Sequence, residues 1–196
     1  METITEIAKK YIKESIQTKK AILEDEVLIT KVIKVSMDCI DSLNNGGKII
    51  FCGNGGSFAD SQHLSAEFTS RFMFDRPALA SIALGTNASS MSAIGNDYGY
   101  EDIFSRELEG IGSTKDLFIG ITTSGNSPNV IKALEVAKTI GIKAYILTGQ
   151  AAGKLSGFSG CINIPSNDTA RIQESHILIG HIICGIVEDS IFKTFR

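Results

Sequence analysis

His63 and Glu67 stand four residues apart, a spacing that puts an imidazole and a carboxylate on one face of a helix. Just before them lies Gly53-Asn54-Gly55-Gly56-Ser57, which follows the apolar run Ile49-Ile50-Phe51-Cys52. Strand, glycine turn and helix in succession present free backbone N–H groups and the positive end of a helix dipole to an anion. Ser57 falls where a helix N-cap is expected, with a hydroxyl that could cap the helix or bind a ligand. A second turn, Thr122-Thr123-Ser124-Gly125-Asn126-Ser127, offers four hydroxyls and a glycine that permits close backbone approach. It too leads into a helix, so it makes a phosphate nest that needs no lysine or arginine. The glycine turn lacks the dinucleotide fingerprint G-x-G-x-x-G and has no lysine after its last glycine, so it is not a Walker loop.

The last helical pattern carries Arg171, Gln173, Glu174, His176 and His181. His176 is expected to be a hydrogen-bonded core residue. His63, Glu67, Gln173 and His181 could together form a mixed nitrogen and oxygen site for zinc or a similar divalent metal. Gln173 and His181 are eight residues apart, about 12 Å along a helix axis. Meeting at one ion would therefore stretch both side chains or draw on a neighbouring subunit, and a site at a subunit interface is favoured.

These groups need a scaffold, and the chain spells one out. Residues 2–24 and 26–44 carry apolar side chains at helical spacing, and Asn44-Asn45-Gly46-Gly47 ends the second helix. One small sheet cannot cover two such helices, so packing against another copy of the chain is their expected use. Strands are expected at 49–52, weakly at 80–84, at 116–121, at 143–148 and at 161–165. Helices are expected at 87–94, 103–110 and 128–140, with a long closing helix from 170 to the C-terminus. Pro128 suits a first helical position, where a missing N–H loses no partner. Buried strands alternating with helices specify an α/β three-layer sandwich around a parallel five-stranded sheet, flavodoxin-like in class. Right-handed crossovers place both hydroxyl-bearing turns at one sheet edge, where open sheets of this kind bind ligands.

A length of 196 residues fits one domain, with 1–45 as N-terminal helices in oligomer packing and 46–196 as sheet core and closing helix. A formal charge of −3 gives no basic patch for nucleic acid or an anionic membrane. The N-terminal METITEIAKK has no signal-peptide apolar segment, and the apolar run 177–187 is too short to span a bilayer, so the reading is cytoplasmic. Cys39, Cys52, Cys161 and Cys184 are widely spaced and are expected to be buried thiols without a disulfide or metal role.

The motifs CGNGGS, HLSAEFTSR, GNDYGY, TTSGNS and RIQESHILIGH, in that order, resemble the sugar isomerase (SIS) domain family and, within it, the phosphoheptose isomerases. The resemblance spans nearly the whole chain. Glu67 together with His181 narrows it, because a related non-catalytic protein that binds the bacterial replication initiator lacks both. The resemblance implies an aldose–ketose isomerase acting on sedoheptulose 7-phosphate, a homotetramer, and a product used for the heptose of lipopolysaccharide core or surface polysaccharide. It implies zinc held by His63, Glu67, Gln173 and His181, with Glu67 and His181 as base and acid. The implied phosphosugar contacts are Asn54, Gly55, Gly56, Asn96, Asp97, Thr122, Thr123, Ser124 and Ser127, with Glu67 and Gln173 also at the substrate and Arg71 near it. Thr122 stands where serine is common, and keeps the hydroxyl. The alternatives are a non-catalytic SIS module that binds a phosphosugar or protein, or an isomerase for another sugar phosphate.

Overall fold

The computed structural model describes residues 3–192. Five apolar runs become strands: β1 (Ile49–Gly53), β2 (Ser81–Ala83), β3 (Leu117–Thr122), β4 (Lys143–Gly149) and β5 (Cys161–Ile164). They form one parallel sheet in the order β2-β1-β3-β4-β5. Strand direction of travel reverses between β1 and β3, which makes their C-terminal ends the switch point of the sheet. The helices are α1 (Ile4–Glu24), α2 (Glu26–Asn44), α3 (Gly56–Thr69), α4 (Ala88–Asp97), α5 (Ile103–Ile111), α6 (Pro128–Ile140) and α7 (Thr169–Phe192).

Alternate strand residues feed two cores, one per face. Ile49, Phe51, Leu117, Ile119, Ile121 and Leu147 pack with α2, with Leu64 and Phe68 of α3, and with the apolar side of α7. Ile50, Cys52, Phe118 and Ile146 pack with α5 and with Val130, Ala133, Leu134 and Ala137 of α6. The three-layer sandwich expected from the strand and helix pattern is the architecture observed. All four cysteines are buried free thiols.

Local chemistry explains where most helices begin. Thr3 and Glu6 form a capping box on α1, Asp25 accepts from Leu28 N–H to start α2, and Asn87 accepts from Ser89 and Ser90 N–H to start α4. Some expected bounds move. Helix α4 continues through Gly95-Asn96-Asp97 rather than stopping at Ile94, because Tyr98 N–H still reaches Ile94 C=O before Gly99 (φ +105°) turns the chain. The expected helix start at residue 2 and the continuation through 193–196 lie outside the described residues.

Helix α7 has 24 residues and, by length and composition, could cross a membrane, which the shorter run 177–187 alone did not indicate. Half of its most apolar stretch is buried inside the fold, against α2 and α3. On α1 and α2, Ile4, Tyr11, Ile12, Ile16, Leu23 and Val27 remain exposed.

Candidate active site at the switch point

The glycine turn leaves β1 with geometry only glycine allows. A Cβ at Gly53 would lie 2.5 Å from Ser57 C=O, and Gly55 (φ +56°) starts α3. Ser57 is therefore not the N-cap expected from the sequence; it lies in the first helical turn, buried, and its C=O accepts the Ser61 hydroxyl. No side chain caps α3, and none caps α6. The N-cap side chains of α1, α2 and α4 bond their helix starts, whereas α3, α5 and α6 have no such bond; of the latter, α3 and α6 rise from the switch point.

In the second turn, the Thr122 and Ser127 hydroxyls bond each other at 2.9 Å, and Ser124 Oγ accepts from Asn126 N–H. Gly125 (φ +65°) packs so closely on Ala152 that a Cβ would meet its carbonyl oxygen at 2.0 Å. Thr123 and Ser124 line a pocket of about 180 Å³ with Gly149, Ser166, Thr169 and Ile172.

Helices α3 and α7 run side by side in the same direction, shown by successive contacts. Gln173 lies on Gly56, Leu64 on Gly180, His181 on His63, and Glu188 on Phe72 and Met73. A Cβ on Gly180 would sit 2.4 Å from Leu64 Cδ2, so this glycine sets how near the helices come. That approach brings His63, Glu67 and His181 together, with one potential ligand atom of each within 4.8 Å of the others. His63 Nε2 is 2.9 Å from Glu67 Oε1 and 3.3 Å from His181 Nε2. Phe72 packs its ring on His181 at 5.4 Å. Burial, reinforced by the neighbouring His63, lowers the His181 pKa, and the Glu67 carboxylate offsets this in part.

Gln173 reaches the glycine turn instead of the trio: its amide nitrogen lies 2.6 Å from where a Gly56 Cβ would be. Asn96 and Asp97 bond each other on exposed α4 and line a shallow depression with Ser89 and Ser92. Arg71 is exposed just beyond the end of α3. His176 is fully buried as expected; burial pushes its pKa down to about 4, with the Thr148 backbone offsetting part of the shift.

Sequence reasoning passed over several residues that hold this site. Arg76 and Glu188 form a buried ion pair beneath the ends of α3 and α7. Asn129, at the start of α6, pairs its amide with Asn54 of the glycine turn. A buried arginine and a buried asparagine look in sequence like any surface residue, so only the fold reveals them.

The SIS domain family model matches residues 10–149. The chain is 55% identical over 186 residues to phosphoheptose isomerase from Aneurinibacillus thermoaerophilus, covering 94% of each chain. It is 50% identical to phosphoheptose isomerase 2 from Campylobacter jejuni, over 98% of this chain and 96% of that one. Among solved structures, a phosphoheptose isomerase from Francisella tularensis superposes with a TM-score of 0.91 at 33% identity, over 95% of this chain and 99% of that one. The Neisseria gonorrhoeae phosphoheptose isomerase gives 0.87 at 38% identity, over 95% of this chain and all of that one.

Proposed function

The chain belongs to the SIS domain family and, within it, to the phosphoheptose isomerases, and from that premise we propose that it converts sedoheptulose 7-phosphate into D-glycero-D-manno-heptose 7-phosphate. The observation that carries this reading is the meeting of His63, Glu67 and His181 beside two uncapped helix starts. The α3 and α6 N-termini, with Thr122, Thr123, Ser124 and Ser127, take the phosphate.

Glu67 removes the proton from the carbon next to the ketone, leaving a cis-enediol(ate). His181 gives a proton to the ketone oxygen and takes back the hydroxyl proton of the first carbon, while the proton held by Glu67 returns to the second carbon, so both groups end as they began. A depressed His181 pKa keeps the ring neutral near pH 7, with an N–H to give on one nitrogen and a lone pair on the other.

The trio also fits a divalent metal such as zinc. Two imidazole nitrogens bound to one zinc at about 2.0–2.1 Å and a tetrahedral angle would lie about 3.3 Å apart, and the His63 and His181 Nε2 atoms are 3.3 Å apart. His63, Glu67 and His181 would hold the ion, joined by Gln173 if its amide swings from Gly56 along α7. When bound, it would polarise the carbonyl and stabilise negative oxygen. Glu67 Oε1 faces His63, which leaves the second carboxylate oxygen for the proton.

The exposed apolar residues on α1 and α2 support packing against further copies of the chain; we take the protein to be a cytoplasmic tetramer whose product supplies heptose to a surface polysaccharide. Incubation with sedoheptulose 7-phosphate, scored for the aldose product before and after chelation, tests the reading; light scattering tests the tetramer. Glu67→Gln and His181→Gln should each lower kcat by about 10²–10⁴. Near-normal turnover by both variants would remove the acid–base assignment, and a folded wild-type protein that makes no aldose would leave a phosphosugar-binding module.

A further inference from the structure

We infer that Asn129 is a positioning residue that locks the two phosphate-binding turns together across the switch point; this rests on the phosphosugar reading above. Asn129 sits at the second position of α6 and is 1% exposed. A short polar side chain so near a helix start commonly bonds its own helix or water. Here it accepts from Val130 N–H of its own helix and also reaches across to bond Asn54, the non-glycine residue between Gly53 and Gly55.

The orientation of both amides follows from their neighbours. Val130 N–H donates to Asn129 Oδ1 at 3.0 Å, so that atom is an acceptor. Asn54 Nδ2 then donates to the same oxygen at 2.8 Å, and Asn129 Nδ2 donates back to Asn54 Oδ1 at 2.9 Å. Tyr100 hydroxyl donates to Asn54 Oδ1 as well, at 3.2 Å. Flipping either amide would set carbonyl against carbonyl or N–H against N–H.

The need for such a tie follows from what surrounds it. The two turns contain Gly53, Gly55 and Gly125, and glycine loses more conformational freedom on ordering than any other residue. Two uncapped helix starts also present like partial charges to one crevice, so they repel until an anion arrives. A reciprocal amide pair holds them at a fixed separation beforehand, which lowers the ordering cost of binding. It also occupies the Asn54 side chain, so Asn54 serves the phosphate through its backbone.

The test compares Asn129→Ala, the isosteric Asn129→Asp, Asn54→Ala and the Asn54→Ala/Asn129→Ala double variant. Read-outs are kcat, KM for the heptulose phosphate, the inhibition constant of inorganic phosphate, phosphate affinity by calorimetry, and the melting midpoint. Asn129→Ala removes both hydrogen bonds, and Asn129→Asp removes the one that Nδ2 donates and sets a carboxylate oxygen against Asn54 Oδ1. Each should therefore weaken phosphate about tenfold, raising KM and the inhibition constant together. Turnover of the position-129 variants at saturation should stay within about threefold, since the lost interaction serves ground and transition state alike. The double variant should bind phosphate no worse than the weaker single one, because both changes break one link. Folded position-129 variants with wild-type phosphate affinity, or additive losses in the double variant, overturn the inference. So does a wild-type protein that does not bind phosphate. A wild-type protein that binds phosphate but makes no aldose would sink the isomerase reading alone, and calorimetry would still decide the role of Asn129.

Discussion

Arg76→Met should destabilise the fold more than any substitution at the His63–Glu67–His181 trio, although Arg76 is not placed at the substrate. The Arg76 and Glu188 side chains are each about 1% exposed, and their charges meet at 2.9 Å. The guanidinium also donates to the carbonyls of Phe68 (2.7 Å), Ser70 (3.0 Å), Pro77 (3.1 Å) and Glu67 (2.7 Å). Glu188 in turn accepts the backbone N–H groups of Phe72 and Met73 at 2.9 and 2.6 Å. One pair thus caps the end of α3, ties down the chain that follows it and anchors α7.

Removing the cation leaves a buried carboxylate with two backbone donors and strips the last α3 carbonyls of their partner. Breaking a buried pair from one side costs about 3–5 kcal/mol. For a chain of this size each kcal/mol moves the melting midpoint by about 2–4 °C, so a fall of roughly 10 °C is expected. Circular dichroism melts and urea titration, with m unchanged, measure it. The pH dependence gives a second check. Burial raises the Glu188 pKa, but the Met73 and Phe72 N–H groups and Arg76 outweigh it, and the pKa is lowered overall. A lowered carboxylate pKa contributes stability above its unfolded value and loses it as pH falls through the folded one. The gap between wild type and variant should therefore narrow in acid. A midpoint within about 2 °C of wild type at neutral pH would refute the reasoning, because a network worth less than 1 kcal/mol cannot be clamping these helices.

Acid should destabilise the protein through His176 as well. Its folded pKa of about 4 lies below the ordinary 6.5, so its neutral form supports the fold above pH 6.5 and that support drains as pH falls toward 4. His176→Leu should flatten the stability curve in that window, read from urea midpoints at each pH, whereas an unchanged slope would show that His176 does not titrate there. Gly56→Ala would place a Cβ 2.6 Å from the flexible end of Gln173, displacing that amide while the fold survives. It should raise KM for the sugar phosphate and lower turnover with little change in melting midpoint, and a fully active Gly56→Ala protein would show that Gln173 is not needed at the turn.

The sheet was legible because its strands are buried on both faces: Ile49 to Cys52 and Leu117 to Ile121 read as unbroken apolar runs bounded by turns. Both hydroxyl-bearing turns were legible for a different reason, since glycine, serine and threonine cluster only where backbone geometry or a ligand requires them. Ser57 misled because serine is a common N-cap, yet here Gly55 takes that position with a backbone that its neighbour could not adopt at so low a cost. The α4 boundary misled because Gly95 read as a stop, while Asn87 had already fixed the helix start and the i→i−4 ladder carried it three residues further. Arg76, Glu188 and Asn129 left no local trace. Their meaning lies in partners 112 and 75 residues away, which periodicity cannot register.

The parallel course of α3 and α7 resolves the tension raised by the spacing of Gln173 and His181. Eight residues on α7 separate a contact at the start of α3 from one in its middle, and α3 advances by a similar length between Gly56 and His63. Seven residues of helix span about 10 Å, so the anion-binding turn and the imidazole–carboxylate cluster are held apart by a rigid ruler. A ligand that fills both ends needs its phosphate and its carbonyl at opposite ends of an extended carbon chain. A triose phosphate cannot bridge that gap, and a long acyclic sugar phosphate can. With the phosphate at the turn and the carbonyl at the cluster, as proposed above, the heptulose phosphate is expected to turn over and a triose phosphate is not, an outcome that assays of both substrates check. Gly180 sets this spacing, since its missing side chain lets Leu64 seat and fixes the register of the two helices.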